Sequence, residues 1–222
     1  MSPRPFERPA TIALPGLPEL AAGSSLDGLW LPEVGDGGPS GAAVIAAPHP
    51  QMGGSMDSPV VTELALACSD LGFVSLRFNW RGIGASAGVA SGEMVDAVTD
   101  YRAALSFMED SVDGAIVACG YSWGALAAAR ACLDASRVRK LILVAPPPEM
   151  LDAPALDERG VPTLVIAGDR DSYVPIPALR AVLDGIDGSK LVILEGVDHF
   201  FMNGLAGIGE ATRAWLESRS ER

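Results

Sequence analysis

Three short segments hold the residues with which this 222-residue chain could do chemistry. The first, Gly120-Tyr121-Ser122-Trp123-Gly124, has the pattern G-x-S-x-G and joins an apolar run to an Ala-rich stretch of helical spacing. A serine projected from so sharp a turn needs small residues two positions to either side, because a side chain there would strike neighbouring backbone. Gly120 and Gly124 meet that need, and a helix starting at Trp123 turns its positive dipole end and free N–H groups toward the hydroxyl. Alone, the pattern also describes a Gly-flanked serine capping a helix. The second segment, Gly168-Asp169-Arg170-Asp171-Ser172-Tyr173-Val174-Pro175, supplies carboxylates, and the third, Gly196-Val197-Asp198-His199-Phe200-Phe201, supplies an imidazole. A hydroxyl, a carboxylate and an imidazole, in that chain order and each after a strand-like run, are the parts needed for nucleophilic attack on a carbonyl. A lone histidine is more often structural, but His199 is one of only two in the chain and falls where the base is required.

The segment Pro48-His49-Pro50-Gln51-Met52-Gly53-Gly54 follows an earlier apolar run. Acyl transfer needs backbone N–H donors for the developing oxyanion, one from the residue after the nucleophile and one from such a loop. Trp123 supplies the first; Pro50 has no N–H, so the second is assigned to Gln51. His49, so early in the chain, is read as shaping this loop. One competing motif, Gly82-Ile83-Gly84-Ala85-Ser86-Ala87, fits the G-x-G-x-x-A of a dinucleotide loop. The acidic residue that should end the next strand is instead Asp100, inside a helical pattern, which argues against a nucleotide site.

The elements that must position these segments are legible as alternation. Nearly continuous apolar runs at Ala42 to Ala47, Val74 to Phe78, Ala115 to Cys119, Lys140 to Val144, Thr163 to Ala167 and Lys190 to Leu194 lack in/out alternation. Such strands are buried on both faces, as in a parallel sheet. Helical spacing fills the gaps at Val60 to Leu71, Glu93 to Met108, Trp123 to Leu133, Pro177 to Leu183 and Ala206 to Leu216. Thr11 to Leu14, a Pro-Gly turn and Asp27 to Leu31 predict an antiparallel hairpin, followed by a Gly-rich loop from Gly35 to Gly41. The expected fold is α/β, a mostly parallel sheet with an N-terminal antiparallel hairpin and helices on both faces. No repeat or linker divides the chain, so residues 1–222 are expected to form one domain.

Composition narrows the function. With 28 acidic against 16 basic residues the net charge is −12, and Lys occurs only at 140 and 190, so no nucleic-acid footprint is expected. At 49% hydrophobic and 20% charged, the chain has ample core material and no disorder signature. No apolar run approaches the roughly 20 residues of a membrane span, and the polar start from Met1 to Pro9 lacks an export signal's apolar centre, so a cytoplasmic location and no membrane partner are expected. Cys68, Cys119 and Cys132 lie scattered in apolar stretches and read as buried thiols; they pair with no histidine cluster, and no metal is expected.

These motifs resemble the small, lidless bacterial α/β-hydrolases related to dienelactone hydrolase, a group of serine esterases. The resemblance spans about Thr11 to Leu216 and rests on Pro48-His49-Pro50 with Gly53-Gly54, on Phe78-Asn79-Trp80-Arg81-Gly82-Ile83-Gly84, and on the three segments above. Relatives often read H-P-H-P where this chain begins with Ala47. Dienelactone hydrolase uses a cysteine where this chain has Ser122, which argues against dienelactone as substrate; a haloalkane dehalogenase would need a carboxylate there. Within the resemblance, Asp171 matches the acid of G-x-x-D-x-x-V-P, whereas Asp169, directly after the strand, suits a turn-shaping role. Lids in this superfamily follow the strand ending here at Val144, and the segment from Ala145 to Pro162 is too short to hold a large one. The resemblance implies a serine hydrolase cleaving a small-molecule carboxylic ester through an acyl-enzyme, without a cofactor. Amide, thioester or peptide hydrolysis by the same three groups, or a binding protein that keeps the fold, are the alternatives.

Overall fold

A computed structural model describes residues 6–14, 23–35 and 37–218. The Pro15-Gly16 turn and the polar start as far as Pro5 lie outside the described residues, as does Asp36 in the Gly-rich loop. The described chain forms one eight-stranded sheet of order β1-β2-β4-β3-β5-β6-β7-β8. Strands β1 (Arg8–Ala13) and β2 (Ser25–Leu31) make the antiparallel hairpin, and β2 also runs antiparallel to β4 (Phe73–Phe78). From β4 onward every pairing is parallel, through β3 (Gly41–Ala46), β5 (Ala115–Tyr121), β6 (Val138–Val144), β7 (Thr163–Gly168) and β8 (Ser189–Leu194). The apolar runs lie where burial on both faces requires them: every residue of β3 and of β7 is buried.

Helices α1 (Pro59–Asp70) and α6 (Leu205–Glu217) pack together on one face, α2 (Met94–Ser111) and α3 (Trp123–Ala131) on the other. Tyr101 of α2 sends its buried hydroxyl into the sheet, donating to Val44 O at 2.7 Å and accepting from Cys119 N–H at 2.9 Å. That ties α2 to the two central strands just below the serine turn. Helix α5 (Ile176–Leu183) and a seven-residue helix α4 (Ala153–Arg159) complete the set among the described residues. Helix α4 has no counterpart among the segments of helical spacing: Asp152 caps it by accepting from Ala155 N–H, but two turns with a proline at the start leave too little periodicity to see. The segment after β6 thus holds only a short 3₁₀ turn (Pro148–Met150) and α4.

The glycine-rich loop after β4 is a structural brace. The guanidinium of Arg81 is buried on Asp100, at 2.8 Å, and on Asp96, at 2.7 Å. Burial pushes the Asp100 carboxyl up despite that partner. Trp80 donates its indole N–H to Pro48 O at 3.0 Å, and so holds the loop after β3 in place. The three cysteines are buried and unbridged. No helix among the described residues is long and apolar enough to cross a membrane.

Candidate active site

The parallel register sets the carboxyl ends of the strands level: Ala46 lies beside Gly120, Tyr121 beside Val144, and Gly168 beside Leu194. Ligands of open α/β sheets bind along such an edge. Ser122 occupies its centre. Its φ of 54° and ψ of −114° are strained for a residue with a Cβ, at a cost of about 1–3 kcal/mol. The turn is held by a 2.8 Å bond from Ser122 N–H to Val144 O and by close packing. A Cβ on Gly120 would stand 2.1 Å from Gly124 O, and one on Gly124 would stand 2.4 Å from Ala47 O. Both elbow glycines are therefore required by space. The other non-glycine residues with positive φ among those described, Ala145 and Phe201, also follow strand ends on this edge.

His199 and Asp171 are brought to Ser122 from β8 and β7. His199 Nε2 lies 3.1 Å from Ser122 Oγ, and His199 Nδ1 lies 2.6 Å from Asp171 Oδ2. Asp171 is buried, and its other oxygen accepts from Tyr173 N–H at 2.8 Å and Val174 N–H at 3.0 Å. One oxygen is thus fixed by backbone and the other is aimed at the imidazole. Asp169 points elsewhere: its Oδ1 accepts from Gly196 N–H at 2.6 Å, clamping the β7 loop to the β8 loop.

Tyr121, the variable residue before the serine, carries no signal of a role in the sequence. Buried at 5% exposure, it donates its hydroxyl to His199 O at 2.7 Å, and its ring lies 5.6 Å from the imidazole. Burial, with the charges of Asp171 and Asp198, keeps this phenol protonated by pushing its pKa far up. Nothing in the pattern G-x-S-x-G signals such a role, since the contact joins residues far apart in sequence.

The loop after β3 corrects one expectation. Pro50–Met52 form a 3₁₀ turn, and the Gln51 N–H donates to His49 Nδ1 at 3.2 Å, so it is not free for an oxyanion. His49 is the cap of that turn, its ring 4.6 Å from the Trp123 ring. Burial lowers its pKa, which favours the neutral ring that can accept at Nδ1. Trp123, as first residue of α3, has no preceding carbonyl of its helix to bond, and its N–H adjoins Ser122. Among the described residues no group of three or more His, Cys, Asp or Glu is placed to hold a metal ion.

Known proteins similar to this chain are α/β hydrolases. The family described as serine aminopeptidase, S33, matches residues 52–153, a stretch that includes Ser122 and ends before the other two groups. An α/β serine hydrolase homologue from Coxiella burnetii superposes with a TM-score of 0.82 at 32% identity, over 94% of this chain and 97% of that one. A serine hydrolase without lid from Xanthomonas campestris superposes at 0.77 with 28% identity, over 96% of both chains. An uncharacterized protein of Rickettsia prowazekii is 28% identical over 173 residues, 72% of this chain and 71% of its own.

Proposed function

The chain belongs to the small, lidless α/β serine hydrolases, and on that premise we propose that it hydrolyses carboxylic esters through Ser122, His199 and Asp171. The observation that carries the reading is the continuous contact from Ser122 Oγ through the imidazole to a buried carboxylate. His199 Nε2 takes the hydroxyl proton as Ser122 Oγ attacks the ester carbonyl, while Asp171 holds the proton on Nδ1 and stabilises the cation that forms. The imidazolium then protonates the leaving alcohol. Water, deprotonated by the same histidine, releases the acid and restores Ser122. The oxyanion is held by Trp123 N–H and, in place of Gln51, by His49 N–H, which bonds no carbonyl among the described residues.

A fluorophosphonate that labels active serines tests this. The intact wild-type protein is expected to be labelled and Ser122→Ala not, with hydrolysis of a soluble p-nitrophenyl ester falling by about 10³-fold or more. An unlabelled wild type would leave a binding protein of the same fold; a labelled Ser122→Ala would place the nucleophile elsewhere. The family match to serine aminopeptidases favours one second reading, release of an amino-terminal residue by the same three groups. Turnover of aminoacyl p-nitroanilides faster than p-nitrophenyl esters would choose it.

A further inference from the structure

Seven large apolar side chains are exposed among the described residues, and six of them, Met52, Val89, Val95, Tyr173, Phe200 and Met202, come soon after the carboxyl ends of strands, the edge of the sheet that also carries Ser122. Exposed apolar side chains scattered singly are normal, whereas two that adjoin the base of a candidate site mark a binding surface. Met52, Val89 and Val95, all aliphatic, follow β3 and β4, and a fourth aliphatic side chain, Met202, follows β8. Tyr173 and Phe200 follow β7 and β8 and both touch the imidazole: the Tyr173 ring is 4.9 Å from that of His199 at 50°, the Phe200 ring 5.8 Å at 85°. They remain 57% and 63% exposed.

Neither ring sits on a loose backbone. Tyr173 N–H is bonded to Asp171 Oδ1 at 2.8 Å, and Phe200 N–H to Asp198 Oδ1 at 3.0 Å. Each aromatic surface is thus carried beside the base on a held backbone, and only two side-chain dihedrals per ring are left to settle on binding.

The chemistry assigns these surfaces a side. In ester cleavage the imidazolium gives its proton to the departing alcohol oxygen, so that oxygen comes within hydrogen-bond reach of His199 Nε2 and the alcohol's carbon frame lies against the groups flanking the ring. Of the three rings beside the imidazole, Tyr121 is buried, which leaves Tyr173 and Phe200 open to a substrate. Resting on the ester-hydrolase reading above, we propose that the alcohol portion of the substrate is a neutral aromatic group, received by Tyr173 and Phe200. A flat ring meets both by offset or edge-to-face contact, which gives more than equal apolar area would. The acyl portion lies toward Met52, Val89 and Val95, after β3 and β4. The net charge of −12 further disfavours an anionic alcohol.

The test compares benzyl acetate with cyclohexylmethyl acetate, two primary-alcohol esters of equal carbon count, by kcat/KM. Wild type is expected to favour the benzyl ester by about tenfold, and Tyr173→Leu and Phe200→Leu each to lower that ratio by about two- to tenfold while retaining apolar bulk. The ratio is taken within each protein, so partial misfolding does not alter it. A wild-type ratio near one, or one unmoved by both substitutions, overturns the aromatic subsite. Fluorophosphonate labelling of Ser122, scored in parallel, separates that failure from failure of the hydrolase reading, in which labelling itself is lost.

Discussion

Replacing Asp171 by Asn is the sharpest probe of the site, because the structure fixes which way the new amide must face. The carboxylate's Oδ1 accepts from two backbone N–H groups, of Tyr173 and Val174, and its Oδ2 faces His199 Nδ1 at 2.6 Å. An asparagine that keeps both backbone bonds turns its NH₂ toward Nδ1, which must then accept. The ring proton moves to Nε2, and the imidazole can no longer take the proton of Ser122. Turning the amide over restores the useful tautomer but sets NH₂ against two N–H donors. At about 1–3 kcal/mol for each unmet donor, the flip costs about 2–6 kcal/mol, and at about 1.4 kcal/mol per tenfold the productive form falls by about 30- to 10⁴-fold. Losing the charge that stabilises the imidazolium adds to this, so a loss of at least 10³-fold, in order of magnitude, is expected. It should appear in kcat rather than KM, as for an interaction made in the transition state. Asp169→Asn keeps an oxygen for Gly196 N–H and should lose less than about tenfold. Steady-state hydrolysis of p-nitrophenyl acetate by both purified variants, with folding checked by circular dichroism, gives the comparison. If Asp169→Asn is the worse of the two, or Asp171→Asn stays within tenfold of wild type, the orienting role of Asp171 is wrong.

Tyr121→Phe removes the bond to His199 O while leaving the ring against Phe201 at 5.9 Å. It should lower kcat by about two- to tenfold and Tm by about 2–4 °C, and an unchanged kcat in a destabilised variant would make the tyrosine merely structural. Gly120→Ala forces a Cβ to within 2.1 Å of Gly124 O. Backbone must yield, so a loss of about 1–3 kcal/mol in denaturant unfolding and most of the activity is expected; full stability would show that the elbow has room.

What the sequence revealed and what it hid follow from the same physics. A strand buried on both faces must be apolar throughout, so β3 and β7 are visible as unbroken runs with boundaries within a residue or two. The serine turn is visible because steric demand admits only glycine two residues to either side. The structure departs from the sequence expectation at Gln51 because tertiary geometry decides it: once Pro50 opens a 3₁₀ turn, the next N–H points back at the His49 ring. The sequence His-Pro-Gln, with a side-chain acceptor before a proline-led turn, was the signal available for that cap. In the sequence Asp171 is separable from Asp169 only through the family pattern G-x-x-D-x-x-V-P; the physical difference lies in their partners, His199 and Gly196, which belong to the β8 loop.

The placement of the three groups in the sheet has a consequence for inactivation by heat. Ser122 follows β5, which is flanked on both sides by other strands, whereas Asp171 and His199 follow β7 and β8, the last two strands before the sheet's edge. No residue of β8 is fully buried, and a strand with one neighbour and partial cover is the kind that frays by local opening well below the global transition. Such fraying would separate the base and its carboxylate from a serine still held in an intact centre. Catalysis should therefore fade at temperatures where the sheet's circular dichroism is unchanged, and return promptly on cooling.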